Sequence, residues 1–147
     1  MNHGAKTMDL LLVEDDPSDV RVFKDLISQC SGCWRLIVVS DGVEAMLYLR
    51  QQEKYAGAPR PSLVLLDLNL PKKDGREVLS EIKGDAQLTS IPVIILTTSR
   101  SEQDIRASYL LHASAFITKP RERKEFIDII KGIDNYWTKV ATPPPTA

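Results

Sequence analysis

The sequence predicts a doubly wound α/β fold built on a five-stranded parallel sheet. Two observations carry the prediction. Five short apolar runs have no polar alternation, and each is followed by a stretch with helical apolar spacing. Uninterrupted apolar runs suit strands buried on both faces of a parallel sheet. Alternating strand and helix signals make βα units, whose right-handed crossovers place helices on both faces.

The first run is Leu10-Leu11-Leu12-Val13, and Val20, Phe23, Leu26 and Ile27 follow it at helical spacing. Leu36-Ile37-Val38-Val39 is the second, with Val43, Met46, Leu47 and Leu49 after it. Leu63-Val64-Leu65-Leu66 is the third, followed by Val78, Leu79 and Ile82. Val93-Ile94-Ile95-Leu96 precedes Ile105, Tyr109 and Leu110. Ala115-Phe116-Ile117 is the short fifth, and Phe126, Ile127, Ile130, Ile133 and Trp137 form the last helical set. Residues 51–61 read as a loop longer than the usual connection. The expected organisation is a polar N-terminal tail (1–7), one domain (8–137) and a Pro-rich tail (138–147), in which residues 142–147 run extended without core residues.

A chain of 147 residues fits one domain. At this size about 70% of the unfolded surface is buried, enough for a core without metal or disulfide staples. The net charge of −1 provides no basic field for nucleic acid. No apolar run approaches the roughly 20 residues of a membrane span, and the first residues lack the apolar stretch of a signal peptide. The expectation is a cytoplasmic protein that binds neither nucleic acid nor membrane. Cys30 and Cys33 are spaced as in a redox pair, but they follow a helix instead of opening one. They read as reduced loop thiols, and with His3 and His112 remote in sequence no zinc site is expected.

The chemistry is expected at the strand ends, where ligands bind in doubly wound folds. Glu14, Asp15 and Asp16 follow the first run, and Ser40 and Asp41 the second. Asp67 and then Asn69 follow the third; Thr97, Thr98 and Ser99 the fourth; Thr118, Lys119 and Pro120 the fifth. Parallel strands bring these groups to one edge. Taken singly, strand-end acids are solvated or cap the next helix, as Asp16 or Ser18 would. Together they pose a problem, because two anions about 4 Å apart repel by roughly 4 kcal/mol at an effective dielectric near 20. Protonation or a cation must relieve this. Oxygen-only ligands select a hard cation, Mg²⁺, which also takes phosphate oxygens. Acids, a metal, a hydroxyl and an ammonium suit phosphoryl transfer, with an aspartate as nucleophile.

The motifs L-L-V-E-D-D, L-L-D-L-N-L-P-K-K-D-G, V-I-I-L-T-T and F-I-T-K-P, in this order, resemble the receiver domains of bacterial two-component response regulators. The resemblance spans residues 8–137. It implies a flavodoxin-like (βα)5 sheet with strand order 2-1-3-4-5. It also implies phosphorylation of Asp67 by a histidine kinase, with Asp15, Asp67 and the Asn69 backbone carbonyl around Mg²⁺ and Glu14 as second acid of the cluster. By the same pattern Thr97 bonds the phosphoryl group, Lys119 pairs with it, Phe116 is the aromatic switch, and Pro120 follows a cis peptide. Pro71 and Gly75 mark the turn after Asp67, where glycine would supply conformational freedom. D-L-N-L-P-K-K-D-G-R-E-V-L, the long loop and the D-N-Y-W ending are similar to single-domain regulators paired with bacterial phytochromes. That similarity implies a phytochrome-type kinase partner and a homodimer through the side formed by the fourth helix, the fifth strand and the last helix.

The chain departs from the pattern at His112, which stands where receivers have a glycine ending the fourth helix. Arg121-Glu122-Arg123-Lys124 puts positive charge at the last helix start without an obvious cap, and reads as a solvated face. Phe126, Ile127, Ile129, Ile130, Ile133, Tyr136 and Trp137 span a wider arc of the last helix than one face requires. Phe126 and Ile130 are expected to pack on the sheet, and Phe126, Ile130, Ile133, Tyr136 and Trp137 together form the expected dimer interface. The expected activity is that of a phosphoacceptor switch, not of an enzyme acting on a separate substrate. An aspartate-nucleophile phosphatase would carry an acid where Asn69 stands. An unphosphorylated interaction module would not need Asp15, Asp67, Thr97 and Lys119 together. No phosphate-binding glycine loop supports a nucleotide-binding protein.

Overall fold

A computed structural model describes residues 7–29 and 34–145; Cys30 and Cys33 lie outside the described residues. The strands are β1 (Met8–Val13), β2 (Trp34–Val39), β3 (Leu63–Leu66), β4 (Val93–Thr97) and β5 (Ala115–Thr118). The helices are α1 (Pro17–Gln29), α2 (Gly42–Leu49), α3 (Gly75–Gly84), α4 (Glu102–Leu110) and α5 (Arg123–Asn135). All strand pairs are parallel, in the order β2-β1-β3-β4-β5. The expected fold and strand order hold.

The apolar runs divide between two cores because successive strand side chains point to opposite faces. Leu11, Val13, Val64 and Leu66 meet α2 and α3 through Met46, Val78 and Ile82. Leu10, Leu12, Leu63 and Leu65 meet α1 and α5 through Phe23, Phe126 and Ile130. Phe23 and Phe126 join those two helices edge to face, with ring centroids 5.8 Å apart. Trp34 Nε1 donates to Asp134 Oδ1 at 2.6 Å, tying β2 to the end of α5.

Three helix ends follow local chemistry. Asp16 caps α1 by accepting from the Ser18 N–H at 2.9 Å, and Pro17 occupies the first position. Asp41 caps α2 by accepting from the Glu44 N–H. His112 ends α4 in the left-handed conformation, φ 69°. There the His112 N–H donates to the Tyr109 carbonyl and the Ala113 N–H to the Ser108 carbonyl, the pattern a glycine stop would make. As expected, Glu122 precedes α5 with no side-chain cap. The loop at 51–61 is pinned, not loose. It contains a 3-10 turn (Glu53–Tyr55), Tyr55 Oη donates to Glu44 Oε1, and Tyr48 Oη donates to the Pro59 carbonyl.

Two expectations are corrected. The peptide before Pro120 is trans, as are all peptides among the described residues. In the turn after β3 the left-handed residue is Lys72, φ 66°, whereas Gly75 is required for space. A π-helical turn (Tyr136–Val140) continues from α5, because no breaker comes before Pro143 and the Thr138 hydroxyl donates to the Asp134 carbonyl. The described tail residues 142–145 include none that is buried, and Pro144 and Pro145 lie beside Pro61 and Pro92.

Candidate functional site

The strand topology delivers the acids, the threonine and the lysine to one edge. Glu14 directly follows β1, Asp67 follows β3, Thr97 ends β4 and Lys119 follows β5. Extending the Leu66–Ile95 register places Asp67 opposite Leu96, beside Thr97. Glu14, Asp67, Thr97 and Lys119 are all buried, while Asp15 faces solvent. Gly75 lets α3 start directly under Asp67, since a Cβ there would lie 2.1 Å from the Asp67 backbone oxygen.

The lysine organises the acids. Lys119 Nζ donates to Glu14 Oε1 at 2.5 Å, to Asp19 Oδ2 at 2.9 Å and to Asp67 Oδ2 at 3.2 Å. An ammonium has three N–H groups, so this set uses all of them. Burial alone would lower the Lys119 ammonium, but its bonds to Glu14 and Asp19 and the field of Asp67 outweigh that and hold it charged. Burial pushes Glu14 up from its ordinary 4.5 to about 7; Lys119 works against the rise and the Asp67 charge adds to it. Asp67 Oδ1 accepts from the Asn69 N–H at 3.1 Å, which fixes the carboxylate plane.

Glu14, Asp15 and Asp67 each place one carboxylate oxygen within 4.8 Å of the others. An all-oxygen donor set of this size fits a hard divalent cation such as Mg²⁺. Glu14 and Asp67 are at the same time partners of Lys119, so a cation held there would share these acids with the ammonium. Asp19 is the lysine partner outside that set. The sequence reading did not single it out, although its place three residues after Asp16 on the first turn of α1 turns it to the same edge.

The remaining expected positions fall elsewhere. Phe116 is half-buried on the edge strand β5, and its N–H donates to Tyr109 Oη at 3.1 Å. Phe126, Ile130 and Ile133 are 5%, 3% and 8% exposed and belong to the core, because α5 must cover its face of the sheet. Tyr136 is exposed and meets Trp137 edge to face. The two line an apolar groove of about 630 Å³ with Ile117, Ile129 and Ile133. No helix among the described residues is long and apolar enough to cross a membrane.

Known proteins share this fold. The response regulator receiver domain family matches residues 10–131. Response regulator Rcp1 of Synechocystis sp. is 47% identical over 135 residues, 92% of each chain. The crystal structure of the Mn(2+)-bound form of Rcp1 superposes with a TM-score of 0.91 at 46% identity, over 94% of this chain and 99% of that one. The phosphorylated cyanobacterial phytochrome response regulator RcpA gives 0.92 at 47% identity, over 95% and 100%. This chain belongs to the response regulator receiver domain family.

Proposed function

We propose that the protein is a single-domain response regulator that accepts a phosphoryl group on Asp67 from a phytochrome-type histidine kinase in the cytoplasm. The observation that carries the reading is Lys119 Nζ at 3.2 Å from Asp67 Oδ2, with the Glu14 and Asp15 carboxylates close by. Mg²⁺ held by Asp15, Asp67 and the Asn69 backbone carbonyl, with Glu14 as second acid, would offset the charge that gathers on the transferred group. One Asp67 carboxylate oxygen bonds to phosphorus as the phosphorus–nitrogen bond of the kinase phosphohistidine breaks, and the imidazole leaves with the electron pair. Lys119 pairs with the incoming phosphoryl oxygens, and Thr97 donates its hydroxyl to them. Phe116 then changes position on β5 and alters the α4-β5-α5 side. The phytochrome partner is supported by the likeness to RcpA.

The test is intact mass after incubation with acetyl phosphate and Mg²⁺. The wild type is expected to gain one phosphoryl group and Asp67→Asn none. A wild type that gains none under any condition would falsify the acceptor role.

We also propose a homodimer through the groove beside Tyr136 and Trp137, with Tyr136 and Val140 as its exposed apolar contacts. Tyr136→Asp is expected to halve the mass read by light scattering while the circular dichroism spectrum stays unchanged. An unaltered dimer mass would remove this surface from the interface.

A further inference from the structure

We propose that Arg76 is a positioning residue for Thr97. Through Asp104 and Ser99 it holds the β4–α4 loop against α3, and so sets how readily the Thr97 hydroxyl reaches a phosphoryl group on Asp67. The inference rests on the acceptor reading of Asp67.

Arg76 is the second residue of α3, one step past the glycine that abuts Asp67. Its guanidinium grips Asp104 of α4 with two parallel bonds, Nε to Oδ1 at 3.1 Å and Nη2 to Oδ2 at 2.9 Å. Nη1 donates to both oxygens of Asp74, the α3 cap, at 3.0 Å. Only arginine makes such a fork, so lysine is not an equivalent here. Asp104 Oδ2 also accepts from Ser99 Oγ at 2.7 Å. Arg76 and Ser99 together hold the Asp104 carboxyl below its ordinary range.

Ser99 is therefore fixed from two sides. Its hydroxyl is tied to α4, and its carbonyl accepts from Thr118 Oγ1 of β5 at 3.1 Å. Ser99 stands two residues after Thr97, and its N–H lies 3.5 Å from Thr97 Oγ1. In this arrangement the Thr97 hydroxyl oxygen accepts from the loop. Bonding a phosphoryl group on Asp67 draws that hydroxyl toward Asp67, and its bond to the Ser99 N–H survives only if the loop gives with it. A loop anchored to Asp104 cannot give unless the Ser99–Asp104 bond breaks or the start of α4 moves with it. Arg76 opposes the second route by binding Asp104 to α3. The clasp thus favours the resting loop, and releasing it raises the fraction of molecules in the shifted form. Apparent affinity for a phosphoryl mimic rises with that fraction.

Three proteins test this: wild type, Arg76→Gln, and Glu77→Gln, which removes an exposed charge at the next position of α3 and leaves the clasp intact. Hydrogen exchange without ligand reads the clasp itself. Amides 101–105 are expected to exchange faster in Arg76→Gln and as in wild type in Glu77→Gln. Beryllofluoride with Mg²⁺, titrated by NMR, reads the effect on Thr97. Arg76→Gln is expected to bind about three- to tenfold tighter than wild type, with Glu77→Gln near wild type. Unchanged exchange at 101–105 overturns the clasp. Faster exchange with affinity within twofold of wild type, or weaker, overturns its action on Thr97. A wild type that binds no beryllofluoride would instead overturn the acceptor reading, and the exchange data would still judge the clasp.

Discussion

Gly75→Ala is expected to destabilise the protein by about 3 kcal/mol and to displace Asp67, because overpacked sites cost roughly 1–3 kcal/mol and more where backbone is the obstacle. The added Cβ would lie 2.1 Å from the Asp67 carbonyl oxygen, 2.6 Å from Leu68 Cα and 3.0 Å from the Asp67 carbonyl carbon. All three are backbone atoms, so no rotamer change relieves the clash. The Gly75 N–H is also bonded to the Leu68 carbonyl at 2.9 Å, which holds α3 against the strand end. Relief requires α3 to retreat or Asp67 to move, and either shifts the carboxylate relative to Lys119. Gly132→Ala in α5 is the control, since nothing lies within 4 Å of the added carbon. It should stabilise by about 0.5–1 kcal/mol, the usual gain of alanine over glycine in a helix. Urea midpoints distinguish the two, and a Gly75→Ala midpoint equal to wild type would show that the contact yields easily.

This contact marks where sequence reading stops. The strands were legible because a parallel sheet buries both faces, leaving an unbroken apolar run such as Val64–Leu66 before Asp67. The site was legible for the same reason, since the first polar residue after each run lands on one edge. Gly75 was legible as a turn residue, but only coordinates show that it yields space instead of an unusual φ. Asp19 was missed because one helical turn decides whether an acid meets Lys119 or water. Arg76 and Asp104 are 28 positions apart and carry ordinary charges, so no periodicity announces their pairing. The apolar arc of α5 shows the converse limit. Spacing gathers Phe126, Ile130, Ile133, Tyr136 and Trp137 into one wide face and turns Phe126 and Ile130 to the sheet, and packing adds Ile133 to the core.

The second large effect is expected at Lys119. Lys119→Met keeps the apolar stem and removes the charge that Glu14, Asp19 and Asp67 share. Breaking a buried ion pair on one side costs about 3–5 kcal/mol, because the partner charges stay buried without compensation. Glu14 can instead take up a proton, which makes the loss depend on pH. Glu14 already lies near 7 with the lysine bond lowering it, against an ordinary 4.5, so without that bond it moves higher still. A carboxyl whose folded pKa is raised keeps a proton that the unfolded chain has released. Between the two values the folded state binds more protons, so stability falls as pH rises. The variant should therefore lie closest to wild type near pH 5 and furthest below it above about pH 8. At the higher pH Mg²⁺ should recover part of the deficit, by binding folded protein in which the acids no longer share a lysine. Urea unfolding at both pH values, with and without Mg²⁺, measures this. A deficit that is equal at pH 5 and pH 8 would mean that Lys119 supports the fold by packing and not by its charge.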